Sequence, residues 1–175
     1  MQILTTLTQY DTRMFLWCVN SRHQSVLAKT AKQVSRSGDG YLQILIPVGL
    51  ALIAGEAGQH LLLATLLAFA IELPLYWVLK NSFQRRRPPE AIPSFSSVIT
   101  ASDKFSFPSG HTAAAVMLAT LVYLSFGLVA LPLMIWAAMV GASRVILGVH
   151  FPTDILAGAT LGATLAYASF SIVVI

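Results

Sequence analysis

The sequence predicts an all-α integral membrane bundle of about five transmembrane helices, preceded by amphipathic helices lying at the membrane interface. Three observations carry this. The 175 residues are 56% hydrophobic and only 10% charged, against about 25% charged in an ordinary soluble domain. Several apolar runs approach the roughly 20 residues that cross about 30 Å of hydrocarbon. The polar residues that remain gather in short segments at the ends of those runs. A chain of this length has room for one domain, read here as 1–175, with an interfacial segment at 1–40 and a transmembrane bundle at 41–175.

Residues 1–20 are apolar but interrupted by Asp11 and Arg13, which favours a helix on the interface over a span. Residues 24–36 set Val26, Leu27, Ala31 and Val34 near one helical face, with Lys29, Lys32 and Arg36 free for headgroups. Ser37-Gly38-Asp39-Gly40 breaks that helix. The first span is expected at 41–57, then a tight polar turn Gly58-Gln59-His60, then the second span at 61–80. A long loop rich in Pro, Ser and Arg covers 81–108. Further spans follow at 109–126, 128–146 and 153–175. In the last of these, Gly158 and Gly162 form a GxxxG pair suited to close packing inside the bundle. The start, Met1-Gln-Ile-Leu-Thr-Thr, has neither a basic leader nor a cleavage site.

Alternating spans place the ends near Lys80, Ser109, Arg144 and Asp154 on one membrane face. Cys18 is the single cysteine, so an intrachain disulfide and a multi-cysteine metal site are excluded. A cysteine phosphatase loop is excluded too, since Gln24 stands where its arginine belongs. At the shared face, Lys80 is a point charge at a helix end, and Arg87 is a planar fork suited to bidentate phosphate binding. Arg85 and Arg86 read as anchors snorkelling to the surface. Pro108-Ser109-Gly110-His111 enters an apolar helix, with Ser109 as its N-cap. Such a terminus attracts an anion, Gly110 lets a phosphate approach the backbone, and His111 stands beside it. Arg144 is costly in hydrocarbon unless it faces a polar cavity. His150 and Asp154 are four residues apart across Phe151-Pro152-Thr153. A carboxylate holding one ring nitrogen leaves the other as a free nucleophile.

Glu72, inside the second span, is about 12 Å along the helix from Lys80 and reads as an internal hydrogen-bonding group. His23 and His60 have no evident partners, and Trp17, Trp77 and Trp136 read as anchors or packing residues.

Lys80-x6-Arg87-Pro88, Pro108-Ser109-Gly110-His111 and Ser143-Arg144-x5-His150-x3-Asp154 resemble, in order and without a missing residue, the three signature motifs of the type 2 phosphatidic acid phosphatases, the PAP2 superfamily. The resemblance implies a helical fold shared with vanadium haloperoxidases and phosphatase chemistry without a metal or cofactor. It assigns His150 as the nucleophile that forms a phosphohistidine, Asp154 as its orienting partner, and His111 as proton donor to the leaving oxygen. Lys80, Arg87, Ser109, Gly110 and Arg144 are implied to hold the phosphate oxygens. The apolar surroundings make the substrate a lipid phosphate or diphosphate, drawn from undecaprenyl diphosphate, phosphatidylglycerol phosphate, phosphatidic acid and lipid A phosphate. Membrane lipids are the expected surroundings, and no nucleic-acid partner is expected. A lipid-to-lipid phosphotransferase uses the same residues, and a lipid-phosphate-binding or translocating protein is the non-enzymatic alternative.

All eleven Lys and Arg residues fall on the motif side or in the amino-terminal segment. The positive-inside rule alone points that face to the cytoplasm, but phosphate binding accounts for several of the charges. The resemblance implies the periplasmic face of a bacterial inner membrane.

Overall fold

Helices make up all the regular structure in the computed structural model, which describes residues 2–20 and 24–174. They are α1 (Gln2–Val19), α2 (Gln24–Ser37), α3 (Tyr41–Ile53), α4 (Gly55–Phe83), the short α5 (Pro88–Ala91), α6 (Gly110–Phe126), a 3₁₀ turn (Gly127–Ala130), α7 (Leu131–Ile146) and α8 (Pro152–Val174). Three helical stretches are long and apolar enough to cross a membrane: Gly55–Ala91, Gly110–Ile146 and Pro152–Val174. The second doubles back at Gly127. Ala115 and Ala119 of α6 pack with Val140 and Ala137 of α7, and Thr112 lies against Gly141.

α3 is 13 residues long, about 20 Å at the helical rise. That is shorter than the hydrocarbon core, so the full span expected at 41–57 is not formed by this helix. The turn expected at Gly58-Gln59-His60 lies elsewhere. The break falls at Ala54–Gly55, and 58–60 belong to α4. Gly58 instead lets α3 and α4 touch, since a Cβ there would lie 2.0 Å from the Leu50 carbonyl oxygen. Polar residues at a helix start were indistinguishable in sequence from a turn.

The core lies between α4, α6 and α8, where Leu61, Ala64, Ala68, Met117, Leu118, Leu121, Leu165 and Ala166 are buried together. Small residues bring α8 onto α6. A Cβ on Gly158 would meet the Ser109 carbonyl oxygen at 2.5 Å, and one on Gly162 would meet that of Ala113 at 2.2 Å. The GxxxG pair is therefore used inside the bundle, as expected.

α2 packs on α7 through Ala28, Ala31 and Ser35. Of the expected apolar face, Ala31 is buried and Val34 packs beside Ala137 and Val140 of α7, while Val26 and Leu27 are exposed. The small Ala28 and Ser35 join the packed side, where their size allows close approach. α1 buries Phe15 and Val19 against Val145 and Phe151. Its Asp11 is 3% exposed, so this charge faces the protein rather than the headgroups. His23 lies outside the described residues.

Candidate active site

Four helix ends meet on one side of the bundle, tied by backbone hydrogen bonds. The Ser109 N–H at the head of α6 donates to the Asp154 carbonyl in α8 at 3.1 Å. The Ser106 N–H donates to the Arg85 carbonyl just past α4 at 2.8 Å, and the Val149 N–H to the Arg144 carbonyl of α7 at 3.1 Å. Residues far apart in sequence are thus held in one place by main chain before any side chain is considered.

The start of α8 positions the His150 and Asp154 pair. Asp154 Oδ2 accepts the Phe151 N–H at 2.8 Å and so caps its own turn. The same oxygen accepts the Ser106 hydroxyl at 2.5 Å and lies 3.6 Å from His150 Nδ1. Ser106 Oγ is itself 3.4 Å from Nδ1. Capping and facing the imidazole are therefore not alternatives for this carboxylate. His150 Nε2 points the other way and lies 3.4 Å from Arg87 Nη1. The ring is 2% exposed. Burial disfavours its charged form most, Asp154 opposes this, and Arg87 and Arg144 add to it, leaving a pKa of about 4. The imidazole is neutral at physiological pH, as a nucleophile requires.

Asp154 is fully buried, and a buried charge needs a partner. Arg85 is that partner. Its Nη1 donates to Asp154 Oδ1 and to Thr153 Oγ1, both at 2.7 Å. Its Nη2 bonds Asp11 Oδ2 of α1, and its guanidinium stacks on Phe151, 4.5 Å from the ring centre. Asp11 also accepts the Thr153 N–H at 3.1 Å and the Thr153 hydroxyl at 2.5 Å. Arg85 is thus not the surface anchor that its place in an arginine run suggested. Only Arg86 is exposed among the three.

Lys80 and Arg87 are both buried and both reach the loop carboxylate of Asp103. Lys80 Nζ is 2.5 Å from Asp103 Oδ2, and Arg87 Nη2 bonds Oδ1. Arg87 Nε donates to the Asp103 carbonyl at 3.0 Å and Nη1 to the Val149 carbonyl at 2.6 Å. Tyr76 donates to Oδ2 at 2.9 Å, and its hydroxyl also bonds Lys80. Burial works to raise the Asp103 pKa, but hydrogen bonds and charge from Lys80, then from Arg87, outweigh it and hold the carboxyl at about 2.

Three of the remaining predicted residues, Gly110, His111 and Arg144, line a cavity of about 680 Å³. Tyr76, Glu72 and Asp103 line it too. Arg144 donates to Ser35 Oγ at 2.6 Å, while its buried Nε has no partner among the described residues. His111 Nε2 lies 2.9 Å from Asp39 Oδ1, a contact that the sequence reading did not contain. Ser109 holds the N-cap position, but its hydroxyl meets Thr112 Oγ1 at 2.9 Å and makes no side-chain cap. The space beside Gly110 is taken by Tyr76, since a Cβ would lie 2.9 Å from the ring. Glu72 faces the cavity and makes no hydrogen bond to another described residue, contrary to the internal bond expected of it.

Sequence reasoning missed Asp11, Tyr76, Arg85, Asp103 and Ser106. Asp11 carried a usable signal, a lone acid in an apolar helix. Asp103 and Ser106 lie in a polar loop whose composition marks no single residue.

The chain is 37% identical over 107 residues to phosphatidylglycerophosphatase B of Bacillus subtilis (strain 168). That alignment covers 54% of this chain and 49% of the relative, so the chain matches about half the relative's length. Among solved structures, Aquifex aeolicus LpxE superposes with a TM-score of 0.75 at 29% identity, covering 91% of this chain and 94% of that one. A transmembrane PAP2-type phosphatidylglycerolphosphate phosphatase from Bacillus subtilis gives a TM-score of 0.76 at 27% identity, covering 95% and 86%. The family model described as PAP2 superfamily matches residues 58–174. That stretch holds the three motifs and every side chain around His150, while Asp11 and Asp39 come from outside it. With the motifs, the all-helical fold and well over half the sequence in agreement, this multi-pass membrane chain belongs to the PAP2 superfamily.

Proposed function

We propose that the chain is a metal-independent lipid phosphate or diphosphate phosphatase working through a phosphohistidine. The observation that carries this is a buried neutral imidazole with Nδ1 turned to a carboxylate and Nε2 turned to a guanidinium. His150 Nε2 attacks phosphorus, forming an N–P bond as the P–O bond to the lipid breaks. His111 gives its proton to the departing oxygen. Water then attacks the phosphohistidine, His111 takes a proton back, and the N–P bond breaks to release inorganic phosphate. Asp154 holds the ring and balances the charge it gains. Lys80, Arg87, Arg144 and the dipole of the α6 N-terminus stabilise the phosphoryl oxygens where negative charge builds, while Ser109 acts by tying that terminus to Asp154.

The exposed apolar faces of α4, α7 and α8 suit a lipid tail, and the cavity beside the cations suits its headgroup. The name of the Bacillus relative makes phosphatidylglycerol phosphate the first substrate to test, with undecaprenyl diphosphate, phosphatidic acid and lipid A phosphate beside it. We place the protein in a bacterial inner membrane with the site on the periplasmic face. Labelling of an engineered cysteine at Ser102 by an impermeant maleimide in intact spheroplasts is the expected result, after Cys18 is replaced by Ala.

The test is phosphate release by purified protein from this lipid panel. Release from at least one lipid is expected, and tight lipid binding without release overturns the enzyme reading. His111→Ala is expected to lower kcat by about 10²–10⁴-fold, the usual worth of a positioned acid. A single-turnover assay with an activated leaving group should recover most of the loss, because such a group needs no proton.

A further inference from the structure

We propose that Asp103 is a specificity-determining residue: its carboxylate sits where the scissile phosphate binds, so the site accepts only phosphoryl groups that outcompete a single negative charge. This rests on the phosphatase reading and names the residue that would set its charge threshold, favouring terminal dianionic phosphates over monoanionic phosphodiesters.

The Asp103 carboxylate is bound as an oxyanion ligand is bound. One oxygen takes Lys80 Nζ at 2.5 Å and Tyr76 Oη at 2.9 Å, and the other takes Arg87 Nη2. The second terminal nitrogen of the same guanidinium is 3.4 Å from His150 Nε2. A phosphorus atom within reach of Nε2 must place its oxygens on these donors. Two anions cannot share them, so substrate binding requires Asp103 to leave.

Its surroundings permit that. The Asp103 side chain is 37% exposed, lies in the irregular segment before α6, and borders the cavity. Its carbonyl stays bonded to Arg87 Nε at 3.0 Å, so rotation of the side chain alone vacates the seat. Lys80 and Arg87, by contrast, are 7% exposed and stay in place.

Charge decides which ligand wins. A phosphomonoester carries about −1.5 to −2 at pH 7, its second pKa being about 6, whereas a phosphodiester carries one negative charge, the same as the carboxylate. A dianion therefore gains from the exchange, while a monoanion gains no charge interaction and pays desolvation. Because Asp103 stays ionised down to about pH 2, protonation does not empty the seat at working pH. Apparent affinity for any ligand is scaled by the fraction of molecules with the seat open.

The test uses the full chain in detergent, wild type and Asp103→Asn, with a lipid phosphomonoester as substrate. Inorganic phosphate and dimethyl phosphate serve as competing anions. Wild type is expected to be inhibited by phosphate and not by dimethyl phosphate. In Asp103→Asn the phosphate inhibition constant should fall roughly tenfold, KM should fall, and dimethyl phosphate should begin to inhibit. Weaker phosphate binding together with a lower kcat identifies Asp103 as a permanent clamp on Lys80 and Arg87 and overturns the proposal. Should the variant fail to fold, the wild-type comparison still decides: equal inhibition by the two anions overturns the threshold. Calorimetric binding of phosphate separates this from failure of the phosphatase reading. Wild type that binds phosphate but turns over no lipid refutes the enzyme and leaves the Asp103 comparison intact.

Discussion

His150→Ala is expected to release no phosphate above the level of buffer, while retaining the ability to bind a lipid phosphate. The imidazole Nε2 lies against Arg87, whereas His111, the other imidazole of the site, has its Nε2 turned to Asp39. Losses of roughly 10⁴-fold or more follow removal of an attacking group from a site of this kind. Lys80, Arg87 and Arg144 remain, so ground-state affinity survives. Quenching wild type during turnover of ³²P-labelled substrate should leave acid-labile label on the protein, and the variant should carry none. EDTA should leave wild-type turnover unchanged. Full turnover by purified His150→Ala protein sinks the mechanism.

The same residue sets a pH dependence. Its folded pKa is about 4 against an ordinary 6.5, so the nucleophile becomes protonated only as pH falls through about 4. Activity limited by this group is lost there and is flat above. Stability behaves differently. The unfolded chain takes up the proton first, so His150 lowers stability progressively as pH falls from 6.5 to 4 and has no further effect below.

Arg85→Ala is expected to have the largest effect on stability of any single change at this face. Arg85 lies between Asp11 and Asp154, which are 3% and 0% exposed. Removing the cation leaves two buried carboxylates near one another with only hydroxyl, amide and imidazole donors. Breaking a buried ion pair from one side costs about 3–5 kcal/mol. A thermal melt in detergent should show a large downward shift, and kcat should fall more than KM rises, because Asp154 loses one of the groups holding it toward His150. Arg85→Lys should recover only part, since a point charge cannot bond both acids as the fork does. Asp11→Asn in the Arg85→Ala background should restore stability in part without restoring kcat. An Arg85→Ala protein that melts and turns over like wild type removes Arg85 from the site.

How much of this was legible in the sequence depended on range. Long apolar runs bounded by Gly and Pro placed α6, α7, α8 and the end of α4 to within about three residues, because helix formation and burial in lipid are set by local composition. The GxxxG pair of α8 was legible because close approach needs small residues at a fixed spacing. The break between α3 and α4 was misplaced because its position depends on packing of Gly58 against Leu50 rather than on turn residues. The apolar face expected of α2 divides: Ala31 and Val34 meet the bundle, and Val26 and Leu27 stay exposed. Ala28 and Ser35 join the packed side, because hydrophobicity alone does not report fit.

At the site, the sequence by itself determined which residue types meet, since motif order and alternating helices bring Lys80, Arg87, Ser109, His111, Arg144, His150 and Asp154 to one end. It did not determine their partners. Arg85, Arg86 and Arg87 are one run of like residues, yet Arg87 faces His150, Arg85 clasps two buried acids, and Arg86 is exposed. Only the tertiary structure separates them, because the chain leaves the helix after Phe83 and each following side chain points a different way. Asp11 meets Arg85 across 74 positions and Arg87 meets Asp103 across 16. Pairings of that kind are fixed by where the backbone is already held and by the cost of leaving a buried charge unpaired, and no local pattern of residues encodes either.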